Sequence, residues 1–235
     1  MLKNLDDIKL LVWKFRSFFL KINFRLNNTS SFLGKNIQII GANKFQLNHN
    51  CTLGDNFWLN INNNGASDKK VCVTIGSFSN IGRHNFFTVG DSLSIGEYFF
   101  SSCYCSIIGA SHENSDPYKP YIISDVVDLG HGVEIGTNVF MGAHSMIAGS
   151  VKVGFGSIIA AGAVVVKDIP PLSIVVGSPG KVVKRFSLRE NSWIDVDKYN
   201  PEELITEDRY KDMIAKKNPH VTKACHAASI KSGWT

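Results

Sequence analysis

Several things are scarce in this 235-residue sequence, and each scarcity narrows what the chain can be. No uncharged apolar run approaches the roughly 20 residues that a bilayer-spanning helix needs, so no such helix is expected. Charged residues make up only 19% of the chain, with a net charge of +5. No basic run is dense enough to make nucleic acid the expected partner; the modest positive balance suits an anionic small molecule, an acidic glycan or a membrane surface. Cysteine is limited to positions 51, 72, 103, 105 and 225, an odd number without C-x-x-C spacing. That argues against a disulfide framework and fits a reducing cytoplasm. Cys103 and Cys105, a C-x-C, read as a buried pair of small hydrophobes. What is plentiful is apolar residue: 44% of the chain, enough for one large domain or two small ones with a true core.

The first thirty residues are apolar but do not read as a cleaved signal. In LVWKFRSFFLKINF, Lys14 and Arg16 interrupt the hydrophobic stretch and no small-residue cleavage site follows. As a helix, this segment carries Leu11, Phe15, Phe18 and Ile22 on one face and Lys14, Lys21 and Arg25 on another. The spacing predicts a helix packed on its own domain or on a neighbouring subunit. The alternative is peripheral contact with the inner face of a membrane.

From residue 129 a six-residue rhythm is clean: Leu129-Gly130, Ile135-Gly136, Met141-Gly142, Ile147-Ala148, Val153-Gly154, Ile159-Ala160 and Val165. Four residues after each aliphatic position stand Val133, Val139, Ser145, Val151, Ser157, Ala163 and Ile169, all small or branched. A helical period of 3.6 cannot produce this spacing. Short strands with corners can: three sides close one triangular coil, and stacked coils bury a continuous aliphatic column. The small residue after each aliphatic one is expected to serve the corner. Earlier runs are less regular: Leu47, Leu53-Gly54 and Leu59; Ile75-Gly76 and Ile81-Gly82; then, after a slip of two residues, Val89-Gly90, Ile95-Gly96, Ser101 and Ile107. The slips, and NINNNGASDKK at 60–70, read as corner loops.

The longest interruption, 110–128, holds His112 in GASHENSDPYKP. A polar loop leaving a rigid scaffold is a good place for chemistry. An imidazole titrates near working pH and can act as a base if its other ring nitrogen is held; Glu113, Asp116 or a backbone carbonyl are the candidate holders. His84, His131 and His144 fall at outward corner positions.

These features resemble the hexapeptide-repeat acyltransferases. The resemblance covers about 30–186 and is strongest in NVFMGAHSMIAGSVKVGFGSIIAAGAVVVKDIPPLSIVVGSPGKVVKRF, which is similar to the C-terminal signature of maltose, galactoside and capsular-polysaccharide O-acetyltransferases. GASH is similar to the active-site loop of the xenobiotic acetyltransferases. The resemblance implies an all-β solenoid, a left-handed parallel β-helix at 30–186, flanked by an amphipathic helical segment at 1–29 and a helical extension at 187–235. It implies a cytoplasmic acetyl-CoA-dependent O-acetyltransferase acting on a sugar hydroxyl, in capsular or O-antigen polysaccharide synthesis, as a homotrimer with sites at subunit interfaces. His112 would be the general base. Phe140, Ala143, Ala161, Val166, Lys167, Lys181 and Lys184 match cofactor positions, and Asn85 and Asp91 lie near acceptor positions. Phe140 replaces the usual tryptophan and would be a flat wall of the groove. Val166-Lys167 replaces Thr-Lys, which removes a hydroxyl and keeps the cation.

Transfer to an amino sugar or a xenobiotic stays open, as does a β-helix that only binds or assembles. A zinc-dependent relative of the fold needs an H-x-x-x-x-H pair; the histidine after His112 is His131, so no metal is expected. An acyl-enzyme on Cys103 would leave His112 unexplained. After the coils, Pro170-Pro171 and Pro179-Gly180 are expected to end the strands. Asn200-Pro201-Glu202-Glu203 is expected to start a helix that runs to about Lys217, its role unreadable.

Overall fold

The computed structural model describes residues 5–24, 26, 30–62, 71–200, 204–221 and 225. The expected loop at 60–70 lies outside these from 63 onward, as do 201–203 of the expected helix start and most of the C-terminal tail.

Short strands enter three parallel sheets in turn. The first sheet takes Phe32–Leu33, Thr52–Leu53, Asn80–Ile81, Phe100–Ser101, Phe140–Met141, Ile158–Ile159 and Ser173–Val176. The second takes Gln38–Ile40, Trp58–Ile61, Phe86–Val89, Ser106–Ile108, Met146–Ala148 and Val164–Val165. The third takes Phe45–Leu47, Val73–Ile75, Leu93–Ile95, Val133–Ile135 and Lys152–Val153. Each strand pairs in parallel with the one a full circuit later, as Met146 does with both Ser106 and Val164. The three sheets therefore form the three sides of one stack, and equivalent positions of the repeat fall into columns.

The columns are the core. Ile39, Leu59, Phe87, Ile107, Ile147 and Val165 line the inside of the second side; Leu33, Leu53, Ile81, Met141, Ile159 and Val175 line the first. Leu47, Ile75, Ile95, Ile135 and Val153 complete the third. The positions four residues on, from Val133 through Ile169, are buried as expected. Two readings of the rhythm change. Leu129 is 38% exposed, because it leaves the loop hairpin rather than leading a strand. The slip before Val89 is no slip: Phe87 holds the inward position six residues after Ile81, and the extra residues Gly90–Ser92 form a wide corner. An aromatic in an aliphatic column disguised the repeat.

The small residue beside each aliphatic one also has a different reason. A Cβ on Gly54 would come within 2.6 Å of Gly82, and one on Gly136 within 2.6 Å of the Phe155 nitrogen. These glycines let coils approach, whereas the left-handed turn falls two residues later, on Asn56, His84, Tyr104 and His144, at φ of 56–59°. Their side chains stack along the edge: His84 on Tyr104 at 4.7 Å and Tyr104 on His144 at 5.0 Å.

The helix α1 (Leu5–Asn23) closes the start of the stack. Ser17 Oγ accepts the Leu33 N–H at 2.9 Å, and Leu20 and Phe24 pack on the core. The apolar stripe marked in the sequence is not the packed face: Leu11, Phe15, Phe18 and Ile22 are exposed.

At the other end, Pro170-Pro171 does not end the pattern, since Ser173–Val176 stacks on Ile158–Ile159. The chain then turns back as antiparallel strands Lys181–Ser187 and Ser192–Asp195, a β-hairpin ahead of any helix. The helix α2 (Glu207–Lys217) begins at Glu207, capped by Thr206 Oγ1 on the Arg209 N–H, not at Asn200. Glu207 Oε1 accepts the Thr137 N–H, and the Tyr210 hydroxyl accepts from Asn138 Nδ2, each at 2.6 Å, which ties α2 to the corner between the third and first sides.

Because each inward side chain is gripped by the coils above and below, Ile147→Ala should cost about 2–5 kcal/mol in chemical denaturation. Leu204→Ala, at an exposed position, should cost under about 0.5 kcal/mol.

Candidate active site

The interruption at 110–128 is a hairpin standing off one edge of the stack, where the second side turns into the third. Ala110–His112 pairs antiparallel with Val126–Asp128, His112 opposite Val126. The Glu113 N–H donates to the Asp125 carbonyl at 2.8 Å, and Leu129 N–H to Gly109 O at 3.1 Å, so the hairpin is pinned at its base. His112 is exposed at the end of its strand. Its Nδ1 lies 3.1 Å from the carbonyl of Ser124, a buried residue. A carbonyl oxygen only accepts, so this bond requires a proton on Nδ1, and the neutral ring then carries its lone pair on Nε2.

Of the three candidate holders, the backbone carbonyl occupies the place. Glu113 turns the other way: its carboxylate accepts the Ser115 N–H at 2.7 Å, and that bond holds its pKa below the usual value. Asp116 Oδ1 accepts the Tyr118 N–H at 2.9 Å. Both carboxylates shape the loop rather than touch the ring.

The remaining residues fall on two edges of the second side. Asp91 lies in the wide corner one coil before His112, and Gly90 packs against Asp128 of the hairpin. Val166 and Lys167 follow the second-side strand two coils beyond, roughly 10 Å along the same edge. The opposite edge, between the first and second sides, carries Ala143 and Ala161 on successive coils, with the Gly162 N–H on the Ala143 carbonyl at 2.9 Å. The turn before Lys181 closes onto the end of that edge through Gly180 N–H and Val164 O at 2.7 Å. Lys167 and Lys181 are exposed and have no carboxylate within salt-bridge distance among the described residues. Lys184 lies 3.9 Å from Asp195.

Two residues stand elsewhere. Asn85 is 1% exposed inside the second-side column, its amide donating to the Ser102 carbonyl at 2.8 Å. It packs in the core rather than facing an acceptor, since it holds the buried position four residues after Ile81. Phe140 is on the outside of the first side, stacked on Phe100 at 5.3 Å. There it lines a cavity of about 390 Å³ with Phe186, Trp193, Tyr210 and Ile214, away from the His112 edge. A second groove, of about 880 Å³, runs along the third side past Glu134, Lys152, Asp168 and Glu207. Neither takes in His112, which stands on a convex edge. His84 and His144 are exposed in the corner stack, and His131 is exposed as expected. No group of His, Cys, Asp or Glu suited to a metal occurs among the described residues.

The C-x-C is half as expected. Cys105 is buried and Cys103 only partly so. Burial pushes the Cys105 thiol above its usual pKa, and it donates to the Gly142 carbonyl at 3.2 Å.

No protein-family model matches the chain. A stretch of 54 residues is 48% identical to a candidate acetyltransferase of Staphylococcus aureus (strain COL), over 23% of this chain and 27% of that protein. The galactoside O-acetyltransferase of Escherichia coli (strain K12) is 26% identical over 148 residues, 53% of this chain and 70% of the relative. The chain thus spans about a quarter of the staphylococcal relative's length. Among solved structures, AntD, an N-acyltransferase from Bacillus cereus in complex with dTDP and 3-hydroxybutyryl-CoA, shares the fold. It has a TM-score of 0.58 and 19% identity over 86% of this chain and 96% of that one. In sequence, parts of the chain are similar to acetyltransferases, and in fold the chain is similar to AntD.

Burial leaves Cys51 with a pKa of about 11, so at pH 8 the thiol stays protonated and shielded. Native protein treated with iodoacetamide at pH 8 should leave Cys51 and Cys105 unlabelled by mass spectrometry, and denatured protein should label both.

Proposed function

We propose that the chain is an acyltransferase that moves an acetyl group from the thioester of acetyl-CoA to a sugar hydroxyl, built on a left-handed parallel β-helix, with His112 as general base. The carrying observation is the His112 ring: Nδ1 held by the Ser124 carbonyl, Nε2 open at the edge of a rigid stack. Nε2 takes the proton of the acceptor hydroxyl while its oxygen bonds to the thioester carbonyl carbon. The C–S bond then breaks, and the imidazolium returns the proton to the departing thiolate. The Ser124 carbonyl keeps the ring in the required tautomer before transfer and faces its positive charge during it.

The fit to the acyl donor rests on the opposite edge. Ala143 and Ala161 leave backbone accessible to an extended thioester arm, and Lys181 at the end of that row supplies a cation for phosphate. Lys167 would add a second cation from the His112 edge, and Val166 an apolar contact. Lys184, beside Asp195, would contribute less, and Phe140 does not enter this groove.

Within one chain the base and the small-residue row lie on different edges of the second side, and the His112 edge is convex. A pocket that buries its ligand needs concave walls. A homotrimer would supply them by setting the His112 edge of one subunit against the alanine edge of the next. Tyr118, Tyr121, Ile122 and Ile123 at the tip of the hairpin are exposed, as a surface to be covered by a neighbour would be in the lone chain. Asp91, on the base's edge, is the acceptor-side candidate that remains.

A sugar hydroxyl in a surface polysaccharide or its precursor is the acceptor suggested by the galactoside O-acetyltransferase. Transfer to an amino sugar is the second reading, suggested by the fold shared with AntD. The same base serves both. The site residues give no support to a merely structural β-helix, which would not need a tautomer-fixed histidine on an exposed hairpin.

Titration of acetyl-CoA into the chain by calorimetry should give micromolar binding, weakened by Lys181→Ala and untouched by His112→Ala. His112→Ala should lower kcat by about 10²–10⁴-fold with the donor affinity kept. Absence of binding at millimolar acetyl-CoA would refute the reading. Mixing His112→Ala chains with Ala161→Trp chains, each inactive alone, should restore activity if the site is composite. Sites wholly within one chain would restore none.

A further inference from the structure

We propose that the outer face of α1 is a docking surface for an anionic lipid bilayer. The inference stands on the helix alone and does not depend on the catalytic reading.

Two different apolar faces are written on this helix. At 3.6 residues per turn, Ser17, Leu20 and Phe24 share one side, and that side is used up on the first coil. Leu11, Val12, Phe15, Phe18, Phe19 and Ile22 share the other, over an arc of roughly 120°. All six are exposed, by 53–66%. Phe19 meets Phe15 edge-on at 4.8 Å and Phe18 at 5.7 Å, so the aromatics form one continuous patch rather than scattered rings. Since the helix already covers the core with its other side, this patch cannot turn inward.

The borders of the patch identify its partner. Lys14 and Lys21 flank it on one side and Arg16 on the other; Lys14 is exposed, while Lys21 and Arg16 are partly buried. Burial holds the Lys21 pKa below its usual value. The helix's only acids, Asp6 and Asp7, lie in its first turn. A seam between two copies of the helix would place cation beside cation, whereas paired helices set opposite charges at their flanks. A bilayer with anionic headgroups answers both parts: rings enter the acyl boundary while the bordering cations stay at headgroup level. No helix among the described residues is long and apolar enough to cross a membrane, so the contact is in the plane of the surface.

The test is co-sedimentation of the full chain with phosphatidylcholine vesicles, with and without about one third phosphatidylglycerol, alongside light scattering for the mass of the assembly. The anionic vesicles should pellet the protein and the neutral ones far less, with binding falling as salt is raised. Phe15→Ser/Phe18→Ser/Phe19→Ser should reduce binding by at least about tenfold with the circular dichroism of the fold kept. Lys14→Glu, at an exposed position that cannot unfold the core, should weaken binding by itself. No pelleting with anionic vesicles would overturn the proposal, as would a Lys14→Glu protein that binds like the parent. A triple variant that lowers the assembly mass and leaves vesicle binding unchanged would assign the patch to a second copy instead.

Discussion

The rest of this structure depends on the parallel ladder between coils. Each strand is only two to four residues long and could not persist alone, yet it shares hydrogen bonds with the equivalent strand one circuit before and one after. Once the ladder is set, every position of the repeat recurs a fixed step along the axis, and a side chain's fate is decided by its place in the hexad. Aliphatic residues at the lead position meet others above and below. Glycines beside them let neighbouring backbones approach. Residues at the turn are driven outward, where Asn56, His84, Tyr104 and His144 hold left-handed conformations and the three rings stack in a row. The strain of those turns is offset by a ladder that repeats whether or not a given corner is comfortable.

Regularity also gives the scaffold its functional limit. A prism of stacked coils has flat sides and convex edges, and neither encloses a ligand. Chemistry has to be added by interruption, by assembly, or by both. The hairpin at 110–128 is the interruption, and its base is pinned by backbone hydrogen bonds from Glu113 and Leu129 to the flanking chain. The ring of His112 is therefore oriented by backbone, through Ser124, instead of by a flexible carboxylate. Backbone orientation suits a loop on a rigid edge, because it fixes the tautomer without adding a charge.

What the sequence made legible follows the same division. The hexad from Ile135 to Ile169 was readable because each lead position is filled by an aliphatic side chain and each position four residues on by a small or branched one, and periodicity needs only that. Phe87 escaped because an aromatic took a place in an aliphatic column, so a two-residue slip was inferred where a corner had widened. The hairpin and His112 were legible as a break in rhythm; the holder of the ring was not, since a carbonyl leaves no trace in residue identity. Asn85 misled for the opposite reason. Its amide looks like a ligand for hydroxyls in the sequence, but the hexad count from Ile81 puts it inside, bonded to Ser102. Phe140 was placed in a groove by resemblance, although its outward position on the first side sets it beside the C-terminal hairpin and α2.

A stack of coils has two open ends, and each end exposes unpaired strand groups that must be covered. At the C-terminal end the antiparallel strands Lys181–Ser187 and Ser192–Asp195 extend the first side, and Arg185 lies over the Tyr199 ring at 4.2 Å. At the N-terminal end α1 does the covering, with the Ser17 hydroxyl accepting the Leu33 N–H of the first strand. Covering an end calls for one apolar side and nothing more; a capping helix can be polar everywhere else. The phenylalanines opposite Ser17 add nothing to the closure of the coil and carry the cost of apolar surface in water. Nothing among the described residues covers them, and their place on the solvent side, between two basic borders, suits a partner outside the chain.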